Sequence, residues 1–404
     1  LKKFSVIFLL YSILLGFLVG ITAGAYLILV NFLINLVWKT VPNVFNISTI
    51  YYPLIICGLG GILIGLLQRK NGNYPRMMVE VIGEYKQTGK IKYTNEIRKN
   101  FFHAIPVLTL GASVGPEAAL SGILGGLVNW VGDRLRLTLE RREELVNMGI
   151  GAILSTVFYA PFAGIGKAFD EPTRDFRIKG RKIFVYAVTI LSGVVGFYLI
   201  NHVLPHESSF GIHFRRSINW TWQGFALIPV AIVAGILFGM LFNNLGKWSQ
   251  QLTRNNQKTV LWAILGGLII GTAGIISPYL MFSGEVQLLG FSRDAVSQSA
   301  LFLIFIAIGK AFVTNFCFSL GWRGGMIFPA IFSSAAAGFA LSVLLPFTPA
   351  IIVSVTIASS LTYIMRQPGV VAGLLLLLLP IEVFPIIIVV CYLTNYLLKS
   401  LSKQ

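Results

Sequence analysis

Residues 110–122 read LGASVGPEAALSG, a Gly-rich turn, a proline and a single carboxylate, Glu117, set between strongly apolar segments. A helix that begins in such surroundings presents about four N–H groups without intrahelical partners, together with a partial positive charge. That chemistry suits an anion. Glycine allows close backbone approach, and Pro116 fits a first helical turn because the N–H it lacks is not needed there. The first candidate donors lie around Ala112, Ser113, Val114 and Gly115. A second stretch, GWRGGMIFPAIF from Gly321, offers the same device through Gly325, Met326, Ile327 and Phe328, followed by Pro329. Two such ends converging would hold a partly dehydrated halide on backbone amides, with no lysine required.

The charged residues near these stretches have several readings. Glu117 sits in a first helical turn, where a carboxylate favours the helix dipole. It is either a structural carboxylate pointing one turn away from the pore amides or a gate in its own right. Lys167, Asp170 and Glu171 are spaced so that the lysine can pair with either acid, and a structural ion pair is preferred to a proton relay. Arg323 either raises the local anion concentration or snorkels toward the membrane surface. Lys310 and Glu285 lie in or beside apolar segments and require partners that the sequence does not name. The acids and bases at 133–144 balance at four each, as a solvated helix end or loop would.

Other chemistries find little support. His103, His202, His206 and His213 form no ligand pattern, and there is no nucleophile motif or nucleotide-binding loop. An enzyme is therefore disfavoured, and no metal or cofactor is expected. Cys57, Cys317 and Cys391 fall in apolar runs and read as small core residues.

The elements that position these residues must be membrane helices. Over the 404 residues, 55% are hydrophobic and 12% charged, with a mean hydropathy of +0.78, which excludes an ordinary soluble enzyme. Residues 4–38, 217–246, 259–284 and 324–365 contain no Asp, Glu, Lys or Arg, and each exceeds the roughly 20 residues that span a bilayer. The first run is too long for a secretory signal, whose apolar core is about 7–15 residues, and reads as a retained, tilted span. The fold class is thus all-α and polytopic, in a bacterial-type plasma membrane.

The net charge of +17 follows from loops rather than from nucleic-acid binding. Arg69 to Lys99 holds eight Lys or Arg against three acids, and Asp170 to Lys182 five against three. The positive-inside rule places both loops in the cytoplasm.

The chain also repeats. LVGITAGAYL at 18–27 resembles VAGILFGMLF at 233–242, and LGGILIG at 59–65 resembles LGGLIIG at 265–271. LGASVGPEAALSGILGG from 110 matches LGWRGGMIFPAIFSSAAAG from 320, and YAPFAGI from 159 pairs with RQPGVVAGL from 366. The offsets of 215, 206, 210 and 207 keep one order, so we divide the chain into repeats at 1–205 and 206–404, with no soluble regulatory domain expected after them. Inversion is favoured because inverted repeats bring broken helices together at the membrane midplane. Residues 101–171, interrupted by Pro106, Pro116, Pro161 and Gly clusters, fit that role.

These residues resemble the CLC chloride channels and proton-coupled chloride exchangers. IAIGKAFVTNFCFSLGWRGGMIFPAIF is similar to the family stretch ending C-F-S-x-G-x-x-G-G-I-F-x-P. FYAPFAGIGKAFDE resembles N-A-P-x-A-G-x-x-F-x-x-E-E, LGASVGP falls where the family has L-G-R-E-G-P, and NGNYP from Asn71 takes the place of G-S-G-I-P. The resemblance implies a homodimer in the lipid bilayer with one anion pathway per subunit, for chloride or another small anion. It also implies that the family's gating glutamate is Val114 here, that its pore serine is Gly72 with Asn73 alongside, and that Glu171 falls on the exchangers' inner proton-transfer glutamate. The family's last helix with its pore tyrosine has no evident counterpart. The expectation is a passive chloride channel without proton coupling. The alternative is a secondary transporter of chloride or fluoride coupled through another carboxylate, with Glu117 first.

Overall fold

The computed structural model describes residues 6–47, 49–77, 80, 93–122, 126–127, 139–158, 160–170, 176–203, 211–212, 214, 220–253 and 259–401. Glu171, His206, His213, residues 133–138 and the proposed repeat boundary at 205/206 lie outside them. Among the described residues the secondary structure is helical, with one isolated backbone bridge. The first half contains α1 (Val6–Asn35), α2 (Tyr52–Asn71), α3 (Tyr93–Thr109), α4 (helical at 117–122), α5 (Leu139–Val157), α6 (Pro161–Asp170) and α7 (Phe176–Val203). The second contains α8 (Ile228–Thr253), α9 (Thr259–Ile276), α10 (Glu285–Ala295), α11 (Ala300–Ser319), α12 (Ile327–Leu344), α13 (Pro349–Met365), α14 (Pro368–Leu378) and α15 (Phe384–Leu401). Eight described helices are long and apolar enough to cross a membrane, so the protein is an integral, multi-pass membrane protein. The first of them runs on past the charge-free stretch to Val44.

Prolines open several of these helices. Pro161, Pro349 and Pro368 each stand in a first turn, where no donor is lost. The short helices α3, α6 and α14, at 17, 10 and 11 residues, do not reach across a bilayer on their own. α6 and most of α3 fall within the interrupted stretch at 101–171, and α14 carries the second-half counterpart of the α6 segment.

The repeat counterparts pack against each other, and they do so head to tail. On α2 and α9, which carry LGGILIG and LGGLIIG, Gly61 faces Ala263, Gly65 faces Val260, Gly267 faces Cys57 and Gly271 faces Leu54. Rising numbers on one helix meet falling numbers on the other. On α6 and α14, Gly166 meets Gly369 while Gly373 meets Phe162, again antiparallel. The repeats are therefore inverted. A Cβ at Gly61 would lie 2.6 Å from the Ala263 carbonyl oxygen, so these glycines are what allow backbones to touch, as small residues do between membrane helices.

Candidate anion site

Two structurally equivalent hairpins build the site. α3 and α11 both end in a Leu-Gly pair, and Gly111 and Gly321 share the same φ of 94°, a region that favours glycine. In each copy the next amide reaches back five residues: Ala112 N–H donates to the Val107 carbonyl at 3.3 Å, and Trp322 N–H to the Cys317 carbonyl at 2.8 Å. This is the helix-terminating pattern in which a left-handed glycine lets the chain reverse onto its own last turn. Its recurrence at an offset of 210 gives the repeat a conformational basis. The Trp322 indole, fully buried, donates to the Ala263 carbonyl at 2.8 Å and locks the second hairpin to α9.

The hairpins deliver two chain segments side by side. Gly115 N–H donates to the Gly325 carbonyl and Gly325 N–H to the Gly115 carbonyl, both at 2.7 Å. These two amides, expected to face an anion, are thus taken up by each other. Val114 N–H is likewise directed at the Ala112 carbonyl at 2.8 Å. The Val114 side chain, 1% exposed, packs onto Gly324, where an added Cβ would lie 2.7 Å from the valine Cβ. Ser113 Oγ is shared with Thr314 Oγ1 at 3.0 Å. The first-half donors therefore mainly hold the two hairpins together.

The free helix start is that of α12, and Glu117 occupies it. Glu117 Oε1 accepts from Phe328 N–H at 3.1 Å, with the Ile327 amide beside it. This corrects the expectation that Glu117 points away from the pore amides. The carboxylate can cross because neither Gly115 nor Gly325 has a Cβ: one built on either would run into it. Glu117 is 4% exposed, and among the described residues its Oε2 has no hydrogen-bond partner. A buried carboxylate oxygen left without a donor is costly.

Lys310 stabilises the same region from α11. Fully buried, its Nζ donates to the carbonyls of Met281 and Phe282 at 2.7 and 2.6 Å and lies 5.3 Å from the Phe332 ring centre. Phe282 N–H in turn donates to the Gly111 carbonyl at 3.1 Å. Lys310 thus ties the segment before α10 to α11, and Phe282 N–H ties it to the turn that ends α3.

On the side of the basic loops, Gly72 and Asn73 are exposed. The Asn73 carbonyl accepts from Arg323 Nη1 at 3.4 Å, and Arg323 Nη2 pairs with Glu80. Arg323 is 8% exposed, with its guanidinium 4.9 Å from the Phe318 ring centre. Its guanidinium is therefore engaged by protein groups, the Asn73 carbonyl, Glu80 and the Phe318 ring. Sequence reasoning passed over Gln68, whose amide donates to the carbonyls of Tyr74 at 2.5 Å and Gly321 at 3.0 Å and accepts from Tyr74 N–H at 3.2 Å. It clamps the NGNYP turn to the second hairpin. Nothing in the sequence singles it out, because it heads the polar run QRKN that ends the helix.

Farther along, the Asp170 carboxylate accepts from Gly369 N–H at 2.9 Å and Val370 N–H at 3.0 Å, so it caps α14. Lys167 and Lys399 add favourable electrostatics to it. Of the two acids expected to pair with Lys167, Asp170 is thus a helix cap with the lysine nearby, and Glu171 lies outside the described residues. Among the described residues no cluster of His, Cys, Asp or Glu could hold a metal ion.

Comparison with known proteins agrees with this architecture. A family model described as voltage gated chloride channel matches residues 60–399. The H(+)/Cl(-) exchange transporter ClcA of Salmonella arizonae is 28% identical over 282 residues, covering 66% of this chain and 57% of that protein. The Salmonella agona counterpart is 27% identical over the same shares. The chain thus spans 57% of the length of these curated relatives. Among solved structures, a slow cyanobacterial Cl-/H+ antiporter has a TM-score of 0.80 at 18% identity, covering 98% of this chain and 96% of that one. A CLC-type fluoride/proton antiporter has a TM-score of 0.73 at 16% identity, with the same coverage.

Proposed function

Because the chain belongs to the voltage gated chloride channel family, we propose that it is a secondary transporter of chloride or another small anion in which Glu117 carries the gating and proton-coupling charge. The observation that carries this reading is the Glu117 carboxylate on the Phe328 amide. The carboxylate holds the donors that a permeating anion needs, so the two compete for one place. The curated relatives are named as exchangers and the solved structures as antiporters, which supports coupled transport over a passive channel. Passive conduction keeps one argument, the uncharged and buried Val114 where the family's glutamate would stand.

In this mechanism an ionised Glu117 closes the site by accepting from the α12 amides. Protonation weakens that bond, because a neutral carboxyl is a poorer acceptor than a carboxylate. The helix start, with its unpaired N–H groups and partial positive charge, then takes an anion. When Glu117 loses its proton its charge returns to the amides and expels the anion, so one proton and one anion move in alternation. Arg323, set at the basic-side entrance, raises anion concentration there. Assembly as a homodimer belongs to the same proposal.

The test is flux in liposomes holding the purified full chain. A chloride gradient should drive protons uphill in fixed ratio, and Glu117→Gln should abolish that coupling. Chloride flux with no proton movement would leave the passive channel as the answer.

A further inference from the structure

His103 is buried where α3 passes the end of α2, at 3% exposure, and its ring meets one more partner than a neutral imidazole can satisfy. Nδ1 lies 2.7 Å from the Lys99 carbonyl, one turn back on α3. Nε2 lies 3.2 Å from the Leu67 carbonyl and 3.4 Å from Asn71 Nδ2, both on α2. A carbonyl only accepts and an amide nitrogen only donates. The short Lys99 contact fixes a proton on Nδ1, so in the neutral ring Nε2 carries a lone pair, which accepts from Asn71 and leaves the Leu67 oxygen unserved. In the imidazolium both nitrogens donate: Nε2–H goes to Leu67, and Asn71 Nδ2 is left facing another donor. The two protonation states therefore demand different arrangements of Asn71.

Asn71 carries that difference toward the site. It ends α2 and opens the NGNYP turn, half-buried, with Gly72 and Asn73 exposed beside it. The turn is fastened to the second hairpin, because Gln68 bonds both Tyr74 and Gly321 while Arg323 donates to the Asn73 carbonyl. From Gly321 that hairpin runs to the α12 start at Phe328. The Tyr74 ring centre lies 5.5 Å from that of His103, with Lys99 Nζ and the Arg76 guanidinium 5.3 and 5.4 Å from the tyrosine. The other charged side chains described on the elements packed there are Arg69 and Lys70 at the exposed end of α2, Arg98 on the Phe102 ring, Arg323, and Glu80 paired with Arg323. α1 carries no charge along Val6–Asn35, and Glu117 on α4 faces α12.

We propose that His103 is a proton-operated positioning residue for the basic-side mouth of the anion route. This rests on the route through the α12 start given under the proposed function. With a neutral ring, the Asn71 amide is held on Nε2. When water on the basic-loop side supplies a proton, an Nε2–H bond forms and turns to the Leu67 carbonyl. Asn71 then swings out to the exposed Gly72–Asn73 turn, where its amide N–H groups offer an entering anion a donor. When the proton returns to water, the amide is drawn back. Acid therefore raises flux. A donor at the mouth speeds entry and exit alike, so halide affinity at the α12 start stays as it was.

The experiment uses the full chain carrying Glu117→Gln, so that Glu117 no longer titrates, in liposomes with the same pH on both faces. Chloride efflux should rise about 2- to 10-fold between about pH 7.5 and about pH 5.5, the shift that one ordinary hydrogen bond makes in an equilibrium. His103→Gln, which keeps an amide but cannot titrate, and Asn71→Ala, which leaves the ring in place, should each remove the rise. A merely structural role for His103 would lower efflux equally at both pH values and keep the rise. In nitrogen-labelled wild-type protein, the NMR signal of the Asn71 side-chain amide, identified by its loss in Asn71→Ala, should move between the two pH values and stay fixed in His103→Gln. Absence of the rise, its survival in either variant, or an Asn71 signal that does not respond to pH overturns the proposal. If His103→Gln does not fold, Asn71→Ala carries the test. If Glu117→Gln passes chloride too slowly to measure, the Asn71 signal decides: movement with pH supports the switch and none overturns it. If the wild type moves no protons against chloride, the Glu117 reading fails, while the rise and its loss still decide on His103.

Discussion

Removing the Glu117 side chain separates a gate from a cap. Its Oε1 accepts from Phe328 N–H at 3.1 Å, and a hydrogen bond to a charged group contributes about 1.5–3 kcal/mol net. An anion entering the α12 start must displace that bond, and about 1.4 kcal/mol corresponds to tenfold in affinity. Glu117→Ala should therefore bind chloride or bromide about 10- to 100-fold more tightly near neutral pH. The anion fills the space vacated between Gly115 and Gly325. The sign with pH follows directly: protonation at low pH removes the competing charge, so wild-type affinity rises toward that of the variant as pH falls. The variant should stay flat. Isothermal titration of halides into detergent-solubilised protein near pH 7.5 and near pH 5 reads both effects. A variant that binds halide no more tightly, yet unfolds more easily by about 1–3 kcal/mol, would show that Glu117 is only a helix cap and would refute the competition argument.

Three further outcomes follow from the packing around the site. Gly324→Ala should destabilise by about 1–3 kcal/mol through overpacking against Val114, and Val114→Ala in the same chain should recover most of that in thermal unfolding. Lys310→Met leaves the buried Met281 carbonyl and the part-buried Phe282 carbonyl without a donor, at about 1–3 kcal/mol each; hydrogen exchange should report lost protection across 281–285. Arg323→Gln removes the ion pair with Glu80 and the charge over Phe318. Anion flux entering from the basic-loop side should fall severalfold at low salt, and the deficit should shrink as ionic strength rises and screening shortens.

Much of the frame was legible because it rests on local rules. The Leu-Gly pairs at 110 and 320, the helix-opening prolines and the glycine stripes of α2 and α9 each state a backbone requirement that one residue type meets. Their recurrence at nearly constant offset revealed the repeats. The site itself was less legible, because its contacts cross the repeat. Glu117 and Phe328 are 211 residues apart, and the carboxylate reaches across only because Gly115 and Gly325 both lack a Cβ. A motif read one half at a time displays the amides of Gly115 and Gly325 as free, when each is the other's partner. Gln68 was obscure for the same reason: a glutamine at the head of a polar helix end gives no hint of which distant backbone it meets.

The reciprocal Gly115–Gly325 bridge also limits how this molecule can move. Many inverted-repeat transporters expose their cargo by tilting one half against the other about a central site. Here the halves are stitched through that centre, backbone to backbone, and bolted again where α2 meets α9 and α6 meets α14. A tilt large enough to change the open side would tear both hydrogen bonds and part glycine contacts that leave no slack. Under the gate proposed for Glu117, the travelling component need be no larger than that side chain, with the two halves holding still around it.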